Sequence, residues 1–294
     1  FLNAHSMSFE NKCAIHTSFS SNENWTYEWE SNCTGVYQPL SNSELQQVVN
    51  LWYSNYGLAL ESYGDINTWD VSLITDMKDL FTNKYNFNSD IGNWDVSNVT
   101  NMEDMFMDAQ SFNKDLSSWD VSSVTDMYRM FYRAYDFNGD ISTWNISNVT
   151  RTREMFHNAH DFNGDLSFWD ITSVTDLYRM FHDAKKFNQD ISTWDVSGVT
   201  SLGQMFYLAS DFNQDISTWD VSSVTDMNSM FNGATDFNQD LSGWSVANVA
   251  SFGGMFLNAH SMSFENKCAI HTSFSSNENW TYEWESNCTG VYQP

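Results

Sequence analysis

The sequence predicts an α/β solenoid: eight stacked coils of 25 residues, each built as strand, turn and short helix. Three observations carry that expectation. Trp recurs every 25 residues, at Trp69, Trp94, Trp119, Trp144, Trp169, Trp194, Trp219 and Trp244. Phe recurs in step from Phe81 to Phe256, and a second Phe, each time followed by Asn, runs from Phe87 to Phe237. No insertion or deletion interrupts the period over residues 65–256, as a stack requires when each coil lies in register on its neighbour.

Phe212 to Asp236 serves to read one coil. Phe212, Ile216 and Trp219 alternate with polar residues in a short extended segment. A turn carrying Asp220 and Ser222 follows. Met227, Met230, Phe231 and Ala234 then show the spacing of one helix face, with Thr225 as N-cap; Thr100 and Glu103 have the form of a capping box. The apolar face of a single coil is too small to offset the ordering of its backbone, so coils must share faces.

The ends differ from the repeat, as the ends of a stack should. Ser41 and Glu44 open a helical N-terminal cap over residues 40–64. After Phe256 the pattern stops. Residues 257–294 are expected to form a C-terminal cap stapled by Cys268 and Cys288 around Phe274, Trp280, Tyr282 and Trp284. A second period of 255 residues is superimposed: Phe1–Pro39 is identical, letter for letter, to Phe256–Pro294. Residues 1–39 therefore read as the C-terminal cap of a preceding identical module, with Cys13 and Cys33 paired like Cys268 and Cys288. An artificial duplication is the competing explanation.

The net charge of −26 disfavours nucleic acid and anionic lipid as partners. No apolar run is long enough to span a membrane. Paired cysteines and seven N-glycosylation triplets, at Asn24, Asn32, Asn98, Asn145, Asn148, Asn279 and Asn287, point to an extracellular or cell-surface location. N-linked glycans are the implied modification.

Several ladders invite a chemical reading. Asp65, Asp90, Asp115, Asp140, Asp165, Asp190, Asp215 and Asp240 occupy one coil position. They either hold Ca²⁺ or another hard cation, the one cofactor weighed, or accept backbone N–H bonds at turns. Asp70, Asp95, Asp120, Asn145, Asp170, Asp195, Asp220 and Ser245 share only a short side chain with an oxygen, which suits a turn acceptor. The Asn ladder from Asn88 to Asn238 is expected to satisfy backbone groups between coils. The Trp ladder reads as core rather than as an exposed platform for sugars. His157, His160 and His182 are read as falling at unrelated positions, and no nucleophile or phosphate loop is present, so no enzyme is expected.

The stretch FNQDISTWDVSSVTDMNSMFNGATD, residues 212–236, resembles the repeat of BspA-like leucine-rich-repeat surface proteins, whose frame is roughly MFxxAxxFNxDIxxWDVSxVTxM. The resemblance covers residues 65–256, with departures at Asn145, Thr152, Ser245 and Ala250. It implies a leucine-rich-repeat-like stack, exposed at the surface, with binding or structural roles and no catalysis.

Three functions follow as expectations. The first is a tandem-repeat structural fibre, its partner the adjacent identical module, with Cys13–Pro39 docking near Ser43–Tyr63. The second is a multivalent adhesin for surface glycans or proteins, with Tyr128, Tyr132, Tyr135, Tyr178 and Tyr207 as the candidate contact residues. The third is ice binding on Ser-Thr positions such as Ser192-Thr193 and Ser217-Thr218, a ladder that Asn67, Gly92, Asn93, Phe168 and Gly243 interrupt.

Overall fold

A computed structural model describes residues 36–284 together with Ala14, Ile15, Ser18, Phe19, Asn22 and Cys288. Cys13, Cys33 and most of the duplicated segment lie outside the described residues. Two helices open the described body, α1 (Asn42–Ser54) and α2 (Tyr56–Tyr63), followed by a short 3-10 turn at Ile66–Thr68. A third helix, α3 (Phe264–Phe274), closes it. Between these ends the chain stacks 25-residue coils, counted here from Asp65, so that coil 4 is 140–164 and coil 5 is 165–189.

The expected helix in each coil is not formed. Its residues make a ribbon of tight turns, in which alternate N–H groups do two different jobs. Leu80, Thr82 and Lys84 close turns onto Met77, Asp79 and Phe81 of their own coil. Met77, Asp79, Phe81 and Asn83 instead donate to Asn101, Glu103, Met105 and Met107 of the next coil. An α-helix would turn every N–H inward along its own axis; the ribbon shares half of them with its neighbour. The geometry requires left-handed backbone twice per coil, at pairs such as Asp79 and Asn83 or Asp104 and Asp108, and Gly233 and Gly254 fall at these same positions.

The expected strand is likewise absent. Coil-to-coil bridging is by isolated parallel bridges at one position, from Asp76 through Asn101 and Asp126 to Arg151, and again from Asp176 through Ser201 and Asp226 to Ser251. Thr225 does not cap a helix. Its N–H and hydroxyl both donate to the carbonyl of Thr200 in the preceding coil. Glu103 donates its N–H to Asn101 rather than completing a box with Thr100.

The core is a set of ring stacks running through the coils. Phe81, Phe106, Phe131, Phe156, Phe181, Phe206, Phe231 and Phe256 succeed one another at 5.1–5.8 Å between ring centroids. A second Phe column, from Phe87 to Phe237, packs beside it. These rings exclude water and set the spacing that the backbone bonds then fix.

Six backbone hydrogen bonds join most neighbouring coils; between coils 5 and 6 they run from Leu177, Arg179, Phe181, Asp183, Thr200 and Asp211. Among the described residues the junction of coils 4 and 5 keeps only four, donated by Glu154, Phe156, Asn158 and Lys186. The missing pair is Thr152 to Asp176 and Thr175 to Thr150, and the bridge at Arg151–Asp176 is missing with them. Thr152 stands where other coils place Met, Leu or Phe. Its hydroxyl is buried without a hydrogen-bond partner.

Both ends are capped through specific contacts. Ser41 accepts the Glu44 N–H to start α1. From α1, Gln46 donates to the Leu80 carbonyl, and Trp52 donates to Ser89. Lys84 of coil 1 reaches Asn50 at 2.8 Å. At the other end Asn277 donates to the carbonyls of Val246 and Val249, and the Tyr282 hydroxyl accepts the Phe256 N–H. Cys268 and Cys288 are disulfide-bonded.

Candidate functional site

The ladders resolve into three kinds of structural part. Every Asp from Asp65 to Asp240 accepts, through Oδ1, the N–H two residues ahead, at 2.8–2.9 Å. Such a bond mimics a backbone turn. The carboxylates of Asp115, Asp190 and Asp215 are held below the usual range, with hydrogen bonds from Ser117, Ser192 and Ser217 as the leading causes. Among the described residues no three His, Cys, Asp or Glu side chains converge as a metal cage. The second ladder makes the same turn, and Asn145 serves as acceptor where its neighbours use Asp. Each Asn from Asn88 to Asn213 accepts the backbone N–H of the next Asn, 25 residues on, and Asn238 accepts that of Ser263.

The Trp rings are 2–4 % exposed. Sequence reasoning missed the task of their indole nitrogens. Trp94 donates to the Ile66 carbonyl, and the same bond, 28 residues back, recurs for every Trp from Trp119 to Trp244. This satisfies a buried carbonyl at each corner of the stack.

The acceptor asparagines of the described glycosylation triplets, Asn98, Asn145, Asn148 and Asn279, are all exposed. Asn98 and Asn148 each donate one amide hydrogen to a carbonyl of the preceding coil, Ser72 and Ser122. Asn24, Asn32 and Asn287 lie outside the described residues.

One face departs from uniform repetition: the turn ribbon of coils 3 to 5. All five arginines of the chain fall there, at Arg129, Arg133, Arg151, Arg153 and Arg179, with Lys185 and Lys186. They lie among the tyrosines singled out from the sequence. Arg153 and Arg179 lie over the Tyr178 ring at 4.3 and 4.9 Å, and Arg129 and Arg151 over Tyr128 at 4.7 and 5.0 Å. Each contact of this kind contributes about 0.5–1 kcal/mol at a surface.

Ion pairs tie these cations across coils. Arg129 meets Glu154 at 2.8 Å, Arg151 meets Asp126, and Lys186 meets Asp161 at 2.7 Å. Their exposure is unequal. The side chains of Arg133, Arg151, Arg153 and Lys185 are 45–51 % exposed, whereas those of Asp108, Asp126, Glu154 and Asp183 are only 6–18 % exposed. These four carboxylates lie beneath the cations, whereas Asp176 and Asp161, which pair with Arg153 and Lys186, are 39 and 43 % exposed.

His157 and His182 are not at unrelated positions, as the sequence reading had it. They lie one period apart, and their rings stack at 4.2 Å across the junction of coils 4 and 5, between Tyr132 and Tyr207. The Nδ1 atom of each is buried without a partner. Burial, with Arg179 among the facing cations, pushes their imidazoles down, to about 3 for His157 and about 4 for His182. Both rings are neutral at neutral pH. His160 instead sits 3.0 Å from Asp183. The 25-residue separation was the signal that could have found the stacked pair.

A family model described as "Mycoplasma protein of unknown function, DUF285" matches residues 50–169 and again 155–269. No curated protein matches the chain.

Proposed function

The chain belongs to this family of repeat proteins, and on that premise we propose that it is an extracellular structural protein. It is a leucine-rich-repeat-like solenoid of the BspA-like type, one module of a glycosylated surface fibre joined cap to cap. The observation that carries this reading is the seat of Tyr37, which belongs to the duplicated segment and is only 1 % exposed. Its ring packs on Tyr63 and Trp69 at 4.6 and 5.5 Å. Its carbonyl accepts the Asp70 N–H at 2.9 Å, and its hydroxyl donates to Glu44 at 3.0 Å. On this reading the end of one cap is built into the core of the next unit. From there the chain enters α1 within a few residues, with no flexible linker.

The counterpart of Tyr37 one long period later is Tyr292, outside the described residues. In the proposed array the equivalent of Tyr37 fills this seat in each module, and repetition extends the rod. Glycans at Asn98, Asn145 and Asn148 coat its sides.

Replacing Tyr37 with Ala tests the joint. It removes about 2 kcal/mol of burial, so the Asp70 amide should exchange with solvent roughly tenfold faster or more, while amides deep in coils 5 to 7 keep their protection. Unchanged exchange at Asp70 would sink the stiff joint.

The Tyr–Arg face favours the adhesin as a second reading. The ice reading loses support, because the Thr193 and Thr218 hydroxyls donate to carbonyls of the preceding coil and Phe168 protrudes, 85 % exposed.

A further inference from the structure

We propose that the turn ribbon of coils 3 to 5 is a binding face for a linear anionic polysaccharide, one carrying sulfate or carboxylate groups. The proposal names a ligand class for the adhesin reading and does not depend on the fibre.

The charge distribution is the first argument. A chain of net charge −26 gathers seven of its 12 basic residues into residues 129–186, where they nearly balance eight acidic residues. Asp108, Asp126, Glu154 and Asp183 lie beneath these cations, so an approaching ligand meets guanidinium and ammonium groups first there, whereas Asp176 and Asp161 share the surface with Arg153 and Lys186. On the rest of the rod, ladders of Asp side chains meet it instead. The ribbon is therefore the place on the rod that repels an anion least.

Shape is the second. Arg153 and Arg179 lie over Tyr178, and Arg151 over Tyr128, giving flat composite surfaces. The tyrosine rings hold the guanidiniums flat against them, so that the ligand meets guanidinium planes and edges. Guanidinium offers paired donors that match sulfate and carboxylate oxygens. Coils stack about 4.8 Å apart, so three coils present a strip on the order of 10–15 Å long, the reach of about two to three sugar units. A strip of that size holds a chain weakly, and an extended ligand gains by engaging successive faces.

Accessibility is the third. Asn98, Asn145 and Asn148 belong to a different stretch of the coil, where Asn98 and Asn148 bond to Ser72 and Ser122. Glycans there leave the ribbon uncovered.

The competing occupant is a second copy of this chain, laying an Asp ladder against the arginines. Net repulsion between two chains of −26 disfavours it at low salt.

The test uses the 294-residue chain with dextran sulfate and polygalacturonate as probes and uncharged dextran as control, by affinity electrophoresis at low and at 1 M salt. Binding to at least one charged probe is expected, with none to dextran and loss at 1 M salt, where screening is nearly complete. The Lys185→Gln/Lys186→Gln variant removes exposed charges and should bind roughly tenfold more weakly. Arg151→Gln/Arg153→Gln should bind more weakly still, with its melting followed in parallel because Arg151 and Arg153 also pair across coils. Lys114→Gln/Lys267→Gln, outside the ribbon, should bind like the parent chain. Equal binding of uncharged dextran, parental binding by both ribbon variants, or self-association with no affinity for either charged probe would each overturn the proposal.

Discussion

Replacing Thr152 with Met is expected to stabilise the coil stack by about 2–3 kcal/mol. Thr152 is fully buried, its hydroxyl has no partner, and the junction beside it lacks two backbone bonds that other junctions make. The equivalent positions in coils 1 to 3 are Met77, Met102 and Met127, so the pocket is shaped for that side chain. Met fills the space around the shorter Thr and removes an orphaned polar group. It should also let the Thr175 N–H reach the Thr150 carbonyl. Amide exchange at Thr175 reads this directly, and a thermal melt reads its consequence. A melt and an exchange rate that stay at the parental values would mean that the junction is weak for some other reason.

The same junction should make the protein sensitive to mild acid. His157 and His182 titrate at about 3 and about 4 in the fold and near 6.5 when unfolded. A base whose folded pKa is depressed costs nothing while neutral in both states. As pH falls below about 6.5 the unfolded chain takes up protons that the fold refuses. Stability then declines until pH reaches the folded values. The two shifts together correspond to several kcal/mol. The groups facing the rings are His182 on His157, and Arg179, Arg133 and Arg129, which oppose protonation, and Asp183 and Glu154, which favour it.

Asp104 works in the opposite direction. Burial and the nearby Asp79 raise its carboxyl to about 6, so the fold gains stability as this group takes up its proton over part of the same range. A net loss is still expected between pH 6.5 and 4, because two imidazoles outweigh one carboxyl. The turn aspartates, whose carboxyls are held low, add their loss only below about pH 4. The double variant His157→Tyr/His182→Tyr continues the ring column of Tyr132 and Tyr207 without a titrating base. Urea unfolding from pH 7 to 4 should show a steep decline for the parent chain and a flat or rising profile for the variant. Parallel profiles would contradict the assignment.

The period carried most of what was legible in the sequence. A 25-residue spacing without insertions placed each Trp, Phe, Asn and Asp over its counterpart, and a short polar side chain at a corner is a turn acceptor in any such stack. The helix was misread for a physical reason. Met77, Leu80, Phe81 and Lys84 are buried in the ribbon with the spacing of a helix face, so periodicity alone cannot separate the two. The contrary signal lay at the left-handed positions. Asp79, Asn83, Asp104, Asp108, Gly233 and Gly254 are turn formers there, although Arg129, Arg133, Glu154, Arg179, Gln204 and Leu208 fill the same positions in other coils and hide the signal. The Tyr side chains of the ribbon face were visible as breaks in the pattern. Its arginines were not, because their meaning depends on which member of each ion pair lies on top.

The stiffness of the joint between modules is tested most directly by electron microscopy of native, non-recombinant material. Eight coils at about 4.8 Å and a cap about 10 Å thick at each end give an axial repeat on the order of 60 Å. A continuous rod with that repeat, glycan density on its sides and no gap at the Tyr37 seat is the expected image. Separate rods, or beads swinging on loose connections, would contradict the fibre and leave the polysaccharide-binding face as the better guide to function.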